Sequence, residues 1–113
     1  MTVVETPSFL RKAAGVLSEA ERAQLVVAIG ADPASGDVIP ETGGVRKLRW
    51  AIKGKGKSGG ARVIYYFHNE SIPVFLLSIY SKNEKVNLTQ AERAELKSLI
   101  PVLVKSYRER RAQ

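Results

Sequence analysis

The sequence predicts an α+β domain in the order β-α-α-β-β-β-α, with a small, mainly antiparallel sheet and helices packed on one face. Three observations predict it. Two capping boxes, Ser18-Glu-Ala-Glu21 and Thr89-Gln-Ala-Glu92, mark helix starts on either side of the middle of the chain. Between them, three runs at 45–52, 61–67 and 72–80 are dense in Val, Ile, Tyr, Phe and Leu, the composition of half-buried strands. The last two runs are separated only by the short polar turn His68-Asn-Glu-Ser71, which pairs them as an antiparallel hairpin.

Each element follows from local chemistry. Val3-Val4 begins a short strand. Thr6 then serves as an N-cap, with Pro7 at the first helical position, where its missing N–H has no intrahelical partner to lose. Phe9, Leu10 and Ala13 carry that helix to Gly15. The second helix starts at the Ser18 box and runs through Ala23, Val26, Val27 and Gly30 to the Asp32-Pro33 stop, so a tight Gly15–Leu17 connection makes a helical hairpin. Residues 34–44 read as loop, with a short extended piece at Val38-Ile39. Pro73 falls near the start of its strand, where a missing donor is tolerated. Beyond the Thr89 box, Leu96, Leu99, Ile100, Leu103 and Tyr107 form one apolar helical stripe. Pro101 inside that stripe is expected to kink or split the helix, and residues 108–113 to fray.

A length of 113 residues suits a single domain over 1–113, and 44% apolar with 26% charged residues is the composition of a folded globular chain. No apolar run reaches the roughly 18 residues that span a bilayer. The N-terminus lacks the basic-then-apolar order of a signal peptide, so a cytoplasmic address is expected. With no cysteine there is no disulfide, zinc-thiolate site or thiol nucleophile. A single histidine, His68, excludes a histidine-pair ribonuclease mechanism, and the scattered carboxylates offer no metal-ligand spacing, so neither metal nor cofactor is expected.

The charge distribution carries the functional signal. Between Thr42 and Asn69 stand seven basic residues (Arg46, Lys47, Arg49, Lys53, Lys55, Lys57 and Arg62) and no Asp or Glu, which equals the whole formal charge of +7. These residues lie on two strands and a glycine-lysine loop, Gly54-Lys-Gly-Lys-Ser-Gly-Gly60, rather than on a basic amphipathic helix. A nucleic acid is therefore favoured over a membrane surface. Gly56-Lys57-Ser58 looks like the end of a P-loop. The position of that motif's first glycine is Ala51, however, and a strand follows where a helix N-terminus is required. A loop whose glycines let lysines approach a phosphate backbone fits better. Alternation puts Arg46, Leu48 and Trp50 on one face of the first strand and Lys47 and Arg49 on the other. Arg62 opens an otherwise apolar strand at the rim beside the loop, where a guanidinium can hold a phosphate. Lys82 and Lys85 follow the third strand, which pairs with the one carrying Arg62, and Tyr80 closes it as a residue able to stack on a base or donate a hydrogen bond.

The run Gly43-Gly-Val-Arg-Lys-Leu-Arg-Trp50, the lysine-glycine loop, Arg62-Val-Ile-Tyr-Tyr66 and Phe75-Leu-Leu-Ser-Ile-Tyr-Ser-Lys-Asn-Glu84 resemble the RelE/ParE superfamily of bacterial toxins. The likeness is closest to HigB-type, RelE-like members and runs from about Val4 to Val104. It implies a RelE-like fold and the toxin of a type II toxin–antitoxin pair, a ribosome-dependent mRNA endonuclease neutralised by a cognate antitoxin. Ribosome and mRNA are its further implied partners. ParE-like members inhibit DNA gyrase instead, and a non-catalytic nucleic-acid-binding module stands as a third reading.

Carried over by position, Arg62 falls on the family's arginine at the start of the Arg-x-Val/Ile-Tyr strand, and Lys82 on a basic position after the following strand. Lys47 and Arg49 take the place of the basic residues of the preceding strand. The tyrosine of the C-terminal helix in some members has no clear counterpart, and Tyr80 is its substitute. The resemblance thus implies Arg62, Lys82, Lys47, Arg49 and Tyr80 as catalytic residues. Arg46, Lys53, Lys55, Lys57 and Lys85 are then left to bind RNA and ribosome. In such a site a lysine can act as base and an arginine can stabilise charge on the phosphate, without histidine or metal.

Overall fold

The computed structural model describes residues 1–52, 60–85 and 87–112. Its elements are β1 (Val3–Glu5), α1 (Pro7–Ala13), α2 (Glu19–Ala31), β2 (Asp37–Val38), β3 (Val45–Trp50), β4 (Ala61–Tyr66), β5 (Val74–Ser81) and α3 (Gln90–Ala112). One five-stranded sheet has the order β1-β5-β4-β3-β2. Only β1 and β5 run parallel, and the other pairs are antiparallel. The expected α+β class and element order are present, with β2 added as a short edge strand. Residues 53–59 of the glycine-lysine segment, with Lys53, Lys55 and Lys57, lie outside the described residues.

The helix starts form as their side chains dictate. Thr6 Oγ1 accepts from the Phe9 N–H at 3.3 Å and itself donates to the Leu76 carbonyl at 2.7 Å, so one cap starts α1 and ties it to β5. Both halves of the Ser18/Glu21 box are made, at 2.8 and 3.1 Å.

The two central strands are apolar on both faces, and this decides how the helices pack. Ala61, Val63 and Tyr65 of β4 join Val74, Leu76 and Ile79 of β5 beneath Phe9, Ala13, Leu17, Leu25 and Ile29 of the α1–α2 hairpin. Ile64, Tyr66, Phe75, Leu77 and Tyr80 point the other way, where Ile100 of α3 is buried among them and Leu96, Leu103, Val104 and Tyr107 pack alongside. The helices therefore cover both faces, with α3 opposite the hairpin rather than beside it. A sheet with a single buried face would leave those five large side chains in water, at about 1.5–3 kcal/mol each.

Helix α3 is one continuous helix through Pro101 and on to Ala112, so of the two expected outcomes at Pro101 the split does not occur. Pro101 lies on the exposed side, while Ile100 before it and Val104 after it dock in the same core. Leu99, expected in the stripe, is 39% exposed.

Tyr65 locks the loop before β3 onto the sheet. Its hydroxyl accepts from the Gly36 N–H and donates to the Pro33 carbonyl, both at 2.8 Å. A Cβ at Gly36 would stand 2.8 Å from that oxygen, which explains the glycine. Tyr65→Phe strands a buried N–H and is expected to lower unfolding free energy by about 1–3 kcal/mol in urea titration, with β-sheet circular dichroism retained.

Candidate active site

Strand register builds the site. Arg49 of β3 stands directly opposite Arg62 of β4, and Arg62 directly opposite Tyr80 of β5. Lys47, two residues back along β3, shares their face and stands opposite Ile64. Tyr80 reaches this face through an irregularity. Tyr65 pairs with Leu76 but Ile64 with Ser78, so β5 carries an extra residue there and its alternation shifts by one. Ile79 then joins the core under the α1–α2 hairpin, and Tyr80 turns to the side of Arg62 and α3.

The row is strongly cationic. Like charges directly opposite on neighbouring strands repel, and among the described residues neither Arg49 nor Arg62 pairs with a carboxylate. Arg62 Nη1 donates to the adjoining Ala61 carbonyl, at 3.2 Å. An anion laid across the two guanidiniums would relieve the repulsion and meet the planar donors that phosphate oxygens fit.

Around the row, α3 begins. The Thr89 and Glu92 box is complete, with backbone N–H to side-chain oxygen distances of 2.8 and 3.1 Å. The second Glu92 oxygen holds Lys85 in an ion pair. Lys85 Nζ in turn lies 5.0 Å from the centre of the Tyr80 ring. Lys85 and the Thr89 N–H together hold the Glu92 carboxyl below its ordinary range. Burial pushes the Tyr80 phenol up, against the Arg62 charge that lowers it and with Glu92 adding to the rise. Tyr80 is thus a protonated donor at neutral pH. At 2% exposure and with Lys85 over its ring, it has no free face on which a base could stack. Lys47 Nζ donates to Asn87 Oδ1 at 3.0 Å. Lys82 is exposed just past β5, its N–H bonded to the Gly60 carbonyl at 3.0 Å, so the ends of β4 and β5 are tied beside Arg62.

Residues 1–110 match the family model described as RelE toxin of the RelE/RelB toxin–antitoxin system. The chain belongs to the RelE toxin family. It is thereby the toxin component of a toxin–antitoxin system. Among solved structures, an arginine-to-alanine double mutant of the E. coli toxin RelE in the free state is similar. Its TM-score is 0.52 at 19% identity, covering 74% of this chain and 85% of that one. The likeness supports the fold.

In this RelE-family chain the sequence-predicted site residues divide. Lys47, Arg49, Arg62 and Tyr80 are brought together on one face, with Lys85 against Tyr80 and Lys82 at the adjoining strand end. Arg46 is on the opposite face. Its Nη1 donates to the Ala34 and Gly36 carbonyls at 3.2 and 2.8 Å, and its guanidinium lies 6.0 Å from the Phe67 ring, so it braces the loop before β3. Tyr107, the tyrosine of α3, packs edge-on against Phe75 at the other end of the face. Glu92, Asn87 and Arg93 were missed from the sequence. The capping box that signalled a helix start was the available sign, because it also places Glu92 beside β5. No helix among the described residues is long and apolar enough to cross a membrane, and no group of three or more His, Asp or Glu could hold a metal ion.

The Glu92 carboxylate has a depressed folded-state pKa, so its contribution is complete above the unfolded value and disappears as pH falls through the folded one. Stability is expected to drop in the acid range below about pH 4.3. Glu92→Gln, which can still cap, is expected to lose that part of the acid sensitivity in pH-dependent thermal melts. Thr89→Ala is expected to cost about 1 kcal/mol at neutral pH.

Proposed function

We propose that this toxin is an endoribonuclease that cuts mRNA on the ribosome in the cytoplasm and is silenced by its antitoxin. The observation that carries the reading is the cofacial row Lys47–Arg49–Arg62–Tyr80, two guanidiniums that pair with no carboxylate among the described residues, beside a protonated phenol. The scissile phosphate lies across Arg49 and Arg62. The 2′-oxygen of the preceding ribose attacks phosphorus, the 2′-O–P bond forms and the P–O5′ bond breaks, leaving a 2′,3′-cyclic phosphate and a 5′-hydroxyl end. Lys82 or Lys47 takes the 2′-hydroxyl proton as general base. In this reading Tyr80 donates a proton to the departing 5′-oxygen. The guanidiniums stabilise the added charge on the phosphoryl oxygens. Arg49 is exposed and Arg62 half-buried in the row, and the decoding site of a ribosome would hold the RNA backbone in line across them.

Brief expression followed by mapping of new transcript ends tests this. Cuts are expected inside translated regions. Arg62→Ala is expected to lower single-turnover cleavage of ribosome-bound mRNA by about 10²–10³-fold and to abolish growth arrest, with an unchanged circular dichroism spectrum. A fully toxic Arg62→Ala variant would sink the assignment. Growth arrest with DNA-damage signalling and no new transcript ends would favour a gyrase inhibitor.

A further inference from the structure

Beside the row, a cavity of about 420 Å³ opens between the β2–β3 edge and the first turn of α3. Its volume lies in the range of sites that take small ligands. Lys47 lines it and also belongs to the row, so cavity and row are continuous. Across from Lys47 stands Arg93, whose backbone N–H donates to the Thr89 carbonyl at 3.0 Å and so fixes the residue to the start of α3. The Nε atoms of Arg46 and Arg93 are both buried without a hydrogen-bond partner among the described residues, and of the two arginines Arg93 lines the cavity. Its neighbour Glu92 is engaged with Lys85, and among the described residues no carboxylate pairs with Arg93. A buried cationic N–H left unsatisfied is costly, and a ligand that completes it accounts for its retention.

The remaining lining narrows the ligand class. Ile39 and Leu88 give an apolar wall, and Asp37 stands on the β2 edge as Lys47's cross-strand neighbour. A bare anion would be repelled by that carboxylate, whereas a nucleobase can donate N–H groups to it while its phosphate meets the two cations. Lys47 is two residues from Arg49, a displacement of about 7 Å along β3. That step is comparable to the spacing of neighbouring phosphates in an extended strand.

We infer that this cavity is a subsite for the nucleotide next to the scissile one, with Arg93 and Lys47 on its phosphate and Asp37 on its base edge. The inference rests on the RNA-cleaving reading and extends it to a residue and a pocket outside the row. Arg93 is a binding residue here and takes no part in the proton transfers.

Its test uses the full chain and a short labelled single-stranded RNA with 2′-O-methyl groups, which cannot be cut, in fluorescence anisotropy across a salt series. Arg93→Gln is expected to weaken binding three- to tenfold at low salt and to flatten log K against log salt by about 0.7, one phosphate contact. Arg93→Lys, which keeps the charge, should restore the slope. Lys97→Gln, at an exposed α3 position outside the cavity, should change neither quantity. On programmed ribosomes, Arg93→Gln should raise the half-saturating toxin concentration while the saturating cleavage rate stays within twofold.

Unchanged affinity and slope in Arg93→Gln would overturn the subsite, as would a loss confined to the saturating rate. An Arg93→Gln chain that melts well below the parent, with Arg93→Lys failing to restore the slope, would also overturn it, by assigning Arg93 to the fold. Wild-type cleavage with an indifferent Arg93→Gln would sink the subsite and leave the endonuclease reading intact. Arg93-dependent RNA binding without any mRNA cleavage would sink the endonuclease reading and, with it, the place of the cavity beside a scissile nucleotide.

Discussion

The apolar character of β4 and β5 on both faces is the constraint on which the other features depend. Two covered faces require two helical layers, one supplied by the α1–α2 hairpin and the other by α3. The apolar positions of α3 begin at Leu96, whereas its first turn presents Thr89, Glu92 and Arg93. Core burial therefore ends partway along the sheet face. The part left uncovered by apolar side chains is where Lys47, Arg49 and Arg62 stand. One helix thus closes the core at its far end and borders the cationic row at its start.

The row is an arrangement the folded state would not choose for stability alone. Arg49 opposite Arg62 is a like-charge cross-strand pair, and its cost is limited by solvent exposure and salt rather than by a counter-charge from the chain. The same economy shows at Glu92, whose two oxygens serve different ends. One completes the helix cap with Thr89 and the other restrains Lys85 over Tyr80. Local rules are obeyed wherever the chain only has to fold and are strained where it meets an anion, the pattern expected of a functional surface.

Much of this was legible in the sequence, for reasons that are local. Period-two alternation along 45–51 and 61–67 puts Lys47, Arg49 and Arg62 where register later aligns them, and caps at Thr6, Ser18 and Thr89 fall where helices begin. The layer of α3 was not legible as read, although 72–80 is apolar at nearly every position and so already calls for cover on both sides. Arg46 carries the same charge as its neighbours, but its role depends on the Ala34 and Gly36 carbonyls, which only tertiary folding brings near it. Arg93 carries no local sign of its place, because only the tertiary fold brings it to the cavity beside the β2–β3 edge. Pro101 kept its helix because the packing of Ile100 and Val104 outweighs one lost backbone bond.

The irregularity in β5 has an evolutionary consequence. Counted in twos from Val74, Tyr80 belongs to the hairpin core, and one added residue before Ile79 moves it to the face of Arg62. Strand length here works like a reading frame. Loss of that residue would return Ile79 and Tyr80 to each other's layers, whereas a paired gain and loss within the strand would leave both in place. Lineages descending from this chain should therefore tolerate substitutions in β5 far more readily than single-residue insertions or deletions. Length variation should collect instead in the exposed turn at 68–71, where no side chain is buried.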